Sequence, residues 1–274
     1  MSAPSFDLDA YMARIGYEGP RAANLETLRA VHFLHPQAIP FENLDPLLRR
    51  PVRIDAVSLQ DKLIRSGRGG YCFEQNLLFV HALRALGFVV HEYTARVLYG
   101  RPVGARAPRT HLLLGVECEG RRYLADVGFG SNVMTGPLLL DETSPQQTPH
   151  EPYRIARDGD FYVVEFLMRD VWTKLLRFDV SEQIFEDHVQ GNWYVSTYPQ
   201  SMFLNSLMAA RVEPGRRYAL ANNQLTVHDM TSGSDKRELD KAELRDALGD
   251  IFRIRLDGLD SLDDALARFT NGAS

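Results

Sequence analysis

The chain reads as an α+β protein, and three features of its patterning predict that class. Apolar residues recur at helical spacing through the first third, β-rich runs joined by turn-rich loops fill the middle, and the tail mixes the two. Strands with no regular helices between them point to an antiparallel sheet or barrel rather than a doubly wound fold. With 274 residues and 45% hydrophobic content, the chain can fill two or three packed units.

In chain order, Leu8, Tyr11, Met12 and Ile15 keep helical spacing behind Asp7, and Gly16 supplies a stop. A second helix starts after Asn24, carries Leu25 and Leu28, and is expected to end near His35-Pro36. Ser58-x-x-Asp61 has the form of a capping box, so a third helix is expected to run to Ser66 before Gly67, Gly69 and Gly70 break it. Over residues 73–86 apolar side chains cover most of the helix circumference, which means burial on nearly all sides, and Gly87 ends the run. From Phe88 onward strands are expected at 89–99, 111–118, 122–126, 161–166 and 174–180. In the second of these, Leu112, Leu114, Val116 and Cys118 share one face, leaving His111 on the other with Leu113 and Gly115. A helix at 184–189, a hairpin pairing 218–220 with 225–227 across Asn222-Asn223, and two helices behind Asp240-x-x-Glu243 and Ser261-x-x-Asp264 complete the tail.

A net charge of −5 and a pI near 5.9 give no general attraction to nucleic acid or acidic membranes, so any anion site must be local. The N-terminus has neither a basic start nor an apolar core, and no apolar run reaches spanning length; a soluble cytoplasmic protein is expected. In that setting the two cysteines, Cys72 and Cys118, are read as reduced thiols. With no Cys-x-x-Cys pair and no His-Glu-x-x-His helix, a metal is not expected. Gly67-x-Gly69 and Gly128-x-Gly130 begin like a dinucleotide fingerprint, but positions 72 and 133 are Cys and Val, and the nicotinamide reading fails. Arg101, Arg106 and Arg109 share a Pro/Gly loop; nothing in their spacing forces convergence on a phosphate, and solvated side chains are the expected reading.

The chemistry centres on Arg68-Gly69-Gly70-Tyr71-Cys72-Phe73-Glu74-Gln75-Asn76, which puts a cysteine where glycines end and an apolar helix begins. The first turn of a helix exposes unpaired N–H groups and the positive end of the macrodipole, both of which stabilise a thiolate and a developing oxyanion. The glycine pair lets the backbone pack close to an incoming group. Thr110-His111 opens one strand and Asp126-Val127-Gly128-Phe129-Gly130 closes another, offering a base and an orienting carboxylate for Cys72. Against this stand the ordinary roles of such residues: a buried thiol is a small hydrophobe, a strand-start histidine a surface group, an Asp-x-Gly a turn. Cys118, alternating with Leu and Val, is read as core. Among the other histidines, His32 and His81 lie on helices, His35 precedes proline, and His150, His188 and His228 have no matching acid motif nearby; His91 is a rival.

These residues carry a resemblance. Pro40-Phe41-Glu42-Asn43, the cysteine motif, Thr110-His111, Asp126-Val127-Gly128-Phe129-Gly130 and Asn192-Trp193-Tyr194 together make the chain resemble the arylamine N-acetyltransferases of the bacterial type. The resemblance implies an N-terminal helical bundle carrying the nucleophile (1–87), a central antiparallel β-barrel carrying His and Asp (88–190) and a C-terminal α/β lid (191–274). It also implies a cysteine-protease-like triad of Cys72, His111 and Asp126, and acetyl-CoA as cosubstrate. The activity so implied is ping-pong acetyl transfer through an acetyl-Cys72 thioester to an arylamine, hydrazine or N-hydroxyarylamine. Tyr71 and Phe129 are placed by the motifs to line an acceptor slot, with core packing an equal alternative, and Gly128, Gly130 and Thr110 are taken as substrate-side positions. A related amide synthase, or a hydrolase or transglutaminase-like enzyme, could use the same triad.

Overall fold

A computed structural model of the protein describes residues 6–102 and 104–270. Residues 1–5, on which the reading of the N-terminus partly rests, lie outside the described residues. The helical part comprises α1 (Leu8–Ile15), α2 (Leu25–Ala38), α3 (Leu44–Leu47), α4 (Ala56–Leu59, continued by a π-helix over Gln60–Arg65) and α5 (Cys72–Ala85), with the two-residue β1 (Phe41–Glu42) between α2 and α3. Asp7 caps α1 by accepting from Ala10 N, and Gly16 ends it in a left-handed conformation.

Two boundaries differ from expectation. Helix α2 runs through Pro36 to Ala38. Proline forfeits one ladder bond, but the buried Pro36 packs inside the last turn, and Ile39 N still donates to His35 O at 2.8 Å. The cap of α4 is Asp55, not Ser58: its carboxylate accepts from Ser58 N at 3.0 Å and from the Ser58 hydroxyl at 2.7 Å. Ser58 is therefore inside the helix, one turn later than a capping residue.

The middle of the chain is a seven-stranded antiparallel sheet built from β2 (Val89–Val97), β3 (Arg109–Cys118), β4 (Arg121–Ala125), β5 (Leu138–Leu139), β6 (Tyr153–Asp158), β7 (Phe161–Met168) and β8 (Val171–Phe178). The strand order β5-β4-β3-β2-β8-β7-β6 leaves two edges, and Gln146 bridges them into a nearly closed barrel. Its backbone pairs with Tyr153 on β6, while its side-chain amide accepts from Leu139 N at 2.7 Å and donates to Leu139 O at 3.0 Å on β5. The alternation of β3 sorts its side chains as expected. Leu112, Leu114, Val116 and Cys118 join the core shared with α5, and Leu113 points into the barrel with Tyr93, Tyr153, Phe166 and Phe178.

Helix α6 (Phe185–Thr197) is about twice the length expected for it. Asp187 closes its first turn by accepting from Ile184 N, and Gly191 lets it press on α5, since a Cβ there would meet the Phe73 ring at 2.6 Å. After α7 (Met202–Asn205) come β9 (Met208–Glu213), β10 (Arg216–Ala221), β11 (Gln224–Asp229) and β12 (Gly233–Glu238), then α8 (Lys241–Asp246, with a π-turn over Ala247–Ile251) and α9 (Leu262–Thr270). The expected hairpin is β10–β11, turning at Asn222 with φ +55°. Its sheet, ordered β1-β9-β10-β11-β12, takes its first strand from the helical part of the chain. Asp240 and Glu243 form the expected reciprocal cap of α8.

Candidate active site

Cys72 is the first residue of α5, nearly buried at 3% exposure, and its thiol donates to Thr110 O at 3.6 Å. The turn entering the helix is held from below. Glu74 accepts from Tyr71 N at 3.1 Å, and Gln75 donates to Pro40 O at 2.7 Å and Gly70 O at 3.1 Å. Gln75 is itself fixed by His35 Nε2, which donates to its Oε1 at 2.7 Å while the Tyr11 hydroxyl donates to His35 Nδ1 at 2.9 Å. Burial holds the His35 imidazole down at about 3, so it stays neutral and able to both donate and accept.

His111 Nε2 donates to Asp126 Oδ2 at 2.6 Å, leaving Nδ1 as the nitrogen free for the Cys72 sulfur. Burial by itself would depress the imidazole, but the charge and hydrogen bond of Asp126, with a further bond from Cys72, lift it to about 10. Burial likewise pushes against the Asp126 carboxylate, yet His111, Asn76 and Gly128 N hold its pKa below the usual carboxylate range. Both Asn76 Nδ2 and Gly128 N bond Oδ1 at 2.9 Å, so Asp126 is saturated and cannot rotate away from the ring. Asn76 also donates to Leu112 O at 2.7 Å and accepts from Val127 N at 3.0 Å, tying α5 to both strands. Behind the acid, Asp126 N donates to His32 Nε2 at 3.1 Å, which requires the neutral ring that burial enforces by holding its pKa down at about 4.

The glycines serve these contacts more than they serve a ligand. A Cβ at Gly69 would lie 2.1 Å from Pro40 O, and one at Gly70 would lie 2.7 Å from Glu74 Oε2. The pair therefore brings the protein's own segments together, which corrects the reading of an approach path for an incoming group. At Gly128 a Cβ would sit 2.9 Å from Cys72 Cα and 2.8 Å from Asn76 Nδ2. Gly130 holds φ +90° near Phe41. Under the nucleophile lies a buried charge network: Arg68 bonds Glu42 at 2.6 Å, and Lys62 bridges Asp45 at 2.5 Å and Glu74 at 2.6 Å. Burial pushes the Glu74 carboxyl up to about 7 against the pull of Lys62, with Asp45 and Glu42 adding to the rise.

Of the two aromatics singled out in the motifs, Phe129 is half-buried and stands edge-on to the His111 ring at 5.4 Å between centroids. Tyr71 is fully buried, its hydroxyl donating to Asn192 and its ring edge-on to Phe203 at 5.1 Å. Thr110 is partly exposed and contributes its carbonyl to the thiol. Sequence reasoning quoted Asn43, Gln75 and Asn76 within motifs without seeing their roles. Asn43 sutures the helical part to the last sheet, donating to Phe203 O and Ser206 O and accepting from Met208 N at 2.8 Å. His32 was unreadable, because its partner is a main-chain N–H 94 residues away. His188 does have an acid, contrary to expectation: Glu92 on β2, 2.8 Å away but 96 residues distant in sequence. His91 stands between Glu182 at 3.2 Å and Glu117 at 3.4 Å.

A helix-borne thiol beside a strand-borne His–Asp pair is a constellation suited to carrying an acyl group on sulfur. A family model described as N-acetyltransferase matches residues 24–261. The arylamine N-acetyltransferase of Escherichia coli K12 is 41% identical over 252 residues, covering 91% of this chain and 89% of that protein. An arylamine N-acetyltransferase / N-hydroxyarylamine O-acetyltransferase of Salmonella typhimurium is 41% identical over 80% of this chain and 78% of its own length. The solved structure of Mycobacterium marinum arylamine N-acetyltransferase in complex with CoA superposes with a TM-score of 0.93 at 38% identity, covering 96% of this chain and 100% of that one. The chain belongs to this N-acetyltransferase family and is an acyltransferase.

Proposed function

We propose that the protein transfers acetyl from acetyl-CoA to an arylamine, hydrazine or N-hydroxyarylamine by a two-step ping-pong cycle. Cys72 is the nucleophile, His111 the base and Asp126 the carboxylate that orients it. The observation that carries this reading is the saturated Asp126–His111 pair at 2.6 Å, which leaves one ring nitrogen for the sulfur at the start of α5. An imidazole with its pKa lifted to about 10 is a cation at neutral pH, the state reached when Cys72 gives up its proton.

In the first step the Cys72 sulfur attacks the thioester carbonyl; the carbon–sulfur bond to CoA breaks and the CoA thiolate takes the proton held by His111. One thioester replaces another, so the exchange is nearly balanced in free energy and acetyl-Cys72 can accumulate. Helix-start N–H groups are the oxyanion donors; that of Tyr71 is already engaged by Glu74. In the second step the neutral amine attacks acetyl-Cys72, His111 accepts its proton, and the sulfur leaves. Amide formation drives the cycle forward. Phe129 beside His111 supports an apolar acceptor slot, together with the partly buried Phe41 and Phe203, whose rings lie 6.4 Å apart.

No helix among the described residues is long and apolar enough to cross a membrane, and we place the enzyme in the cytoplasm. The chain divides into functional units at 1–87, 88–190 and 191–274; the barrel-interior cluster, drawn from residues 93–178, supports the middle unit, while the helical core also takes in β3 and β4, Leu44 and Leu47 join the last cluster, α6 spans the second boundary and β1 edges the last sheet. Intact mass after incubation with acetyl-CoA is the test. Wild type should gain one acetyl group, Cys72→Ser none, and an aniline or hydrazide should discharge the adduct. An unlabelled wild type that hydrolyses or ligates other acyl donors would sink the assignment.

A further inference from the structure

Asn43 stands at the position that starts α3, and an asparagine there ordinarily caps the helix with its own side chain. Its side chain makes no such bond. Leu44 N is served instead by Glu42 Oε2 at 2.6 Å, which releases the Asn43 amide for another task. The amide, fully buried, turns to one distant segment: Nδ2 donates to Phe203 O at 2.9 Å and to Ser206 O at 2.7 Å, while Oδ1 accepts from Met208 N at 2.8 Å. These partners lie 160 to 165 residues further along the chain. A side-chain amide supplies both the donors and the acceptor, whereas a carboxylate of the same size would turn oxygen toward two carbonyls.

The segment held in this way is short and carries an aromatic ring. Helix α7 has four residues, too few to stand on their own helical bonds. It is braced by side chains: Ser201 Oγ donates to Val195 O and accepts from Phe203 N at 3.3 Å, and Asn205 Nδ2 donates to Pro199 O and Ser201 O, each at 2.8 Å. Phe203 is thus fixed at its N–H by Ser201 and at its carbonyl by Asn43. Its half-buried ring stands edge-on to Tyr71, the residue before Cys72, at 5.1 Å between centroids. On its other side it lies 6.4 Å from Phe41, which precedes Asn43 by two residues. Tyr71 in turn is pinned through its hydroxyl by Asn192.

Resting on the acetyl-transfer reading, in which Phe41, Phe129 and Phe203 wall the acceptor slot, we propose that Asn43 is a positioning residue for acceptor specificity. It sets Phe203 against Phe41 and Tyr71, so that the slot takes the flat ring of an arylamine or arylhydrazine. The three bonds of its side chain reach neither Cys72 nor the His111–Asp126 pair, so its effect passes through Phe203. The second step of the cycle is where that effect is read, because the ring must be held while the nitrogen reaches the acetyl carbon. Without the amide, the carbonyls of Phe203 and Ser206 lose this donor and the segment is free to shift. The apolar contact is then lost before and during reaction alike, a change that appears in KM.

Acceptor kinetics on the full chain test the assignment. Hydrazine and phenylhydrazine share the nucleophilic N–N group and differ by the ring. The measured quantity is kcat/KM for the acceptor, which in a ping-pong cycle reports the second step alone, expressed per Cys72 that acetyl-CoA labels so that unfolded protein does not count. Asn43→Ala should lower it about tenfold for phenylhydrazine, the size expected of a lost apolar contact, and leave it within about twofold for hydrazine. Asn43→Ser, which keeps a hydroxyl in the buried space, is the second variant should the alanine fail to fold, and the same split is required of it. Equal loss with both acceptors, the mark of a merely structural suture, or no loss with phenylhydrazine overturns the proposal. Failure of the transfer reading shows separately, as a wild type whose Cys72 gains no acetyl group before any acceptor is added, and the proposal falls with it.

Discussion

At the scale of single residues, the site is a set of groups whose protonation is decided by burial and then reversed or reinforced by one neighbour. His111 and His32 are both buried beside Asp126, yet one is held at about 10 and the other at about 4. The difference is contact: His111 bonds the carboxylate itself, whereas His32 accepts only the main-chain N–H of the same residue. Asp126→Asn should therefore leave burial in control of His111, drop it below its ordinary value and remove the proton acceptor that activates Cys72. The rate of acetyl-enzyme formation in a stopped-flow or quenched assay should fall on the order of 10³-fold or more, with folding retained because Asn keeps the size and one acceptor. A loss of less than tenfold would deny Asp126 its role. The cysteine motif, the Thr-His strand start and the acid were legible as residues because each ends or begins an apolar run. Their partners Asn76, Gln75 and His32 were not, since an amide or imidazole on a helix declares no function until its acceptor is known.

Among elements, the barrel depends on a residue that belongs to no strand. Gln146 uses its backbone toward β6 and its side chain toward β5, standing in for a missing piece of ladder. Gln146→Ala keeps the first pairing and abolishes the second, leaving the Leu139 N–H without its partner and the Leu139 carbonyl with only Glu142 N at 3.3 Å. A loss of about 1–3 kcal/mol in urea unfolding is expected, with faster amide exchange at Leu139 than at central β3. Helix α6 makes a similar point about length. Its exposed Ile184, Phe185, Val189 and Trp193 gave little amphipathic signal, and what extends it is Gly191 against Phe73 and Asn192 against Tyr71 and Val52. Strands β9 and β12 escaped sequence reading for a related reason: β12, Gly233–Glu238, is exposed along its whole length and carries no alternation to read.

Over the whole molecule, buried titratable groups make stability depend on pH in a direction that can be worked out. His32 and His35, at about 4 and about 3 when folded, bind protons more weakly than in the unfolded chain, where an imidazole sits near 6.5. The unfolded state then holds more protons, so their effect is a stability that rises with pH from about 4 to about 6.5. Glu74, at about 7 when folded, acts oppositely in the same range, and His111 adds stability that is complete below about 6.5 and fades as pH climbs through about 10. Near pH 5 the two histidines outweigh Glu74, leaving a net uptake of at least about one proton on unfolding. Urea midpoints measured from pH 4.5 to 10.5 should rise to a maximum between about pH 6 and 6.5, decline from about pH 7 to about pH 10 and level off above that. A flat profile on the acid side would mean that His32 and His35 are not held neutral. The last sheet and the barrel are also bound by charge: Arg217 on β10 grips Glu151 of the barrel with Nη2 at 2.5 Å and Nε at 2.9 Å, so the two are expected to unfold in one transition.

The sequence by itself determined the main helices, the strands β2, β3, β4, β7 and β8 and the β10–β11 hairpin, the faces of β3, the cysteine at the mouth of a buried helix, and the family to which these motifs belong. Such features are local: apolar periodicity, caps and glycine stops act over a few residues and leave a direct trace in the string. Only the tertiary structure decided which groups meet. It set Asn76 on Asp126, Gln75 beneath Gly70, Glu92 beside His188, and the loop arginines next to Lys174. These contacts join positions far apart in the chain, and what selects them is the packing of one element on another, for which no single segment carries the information.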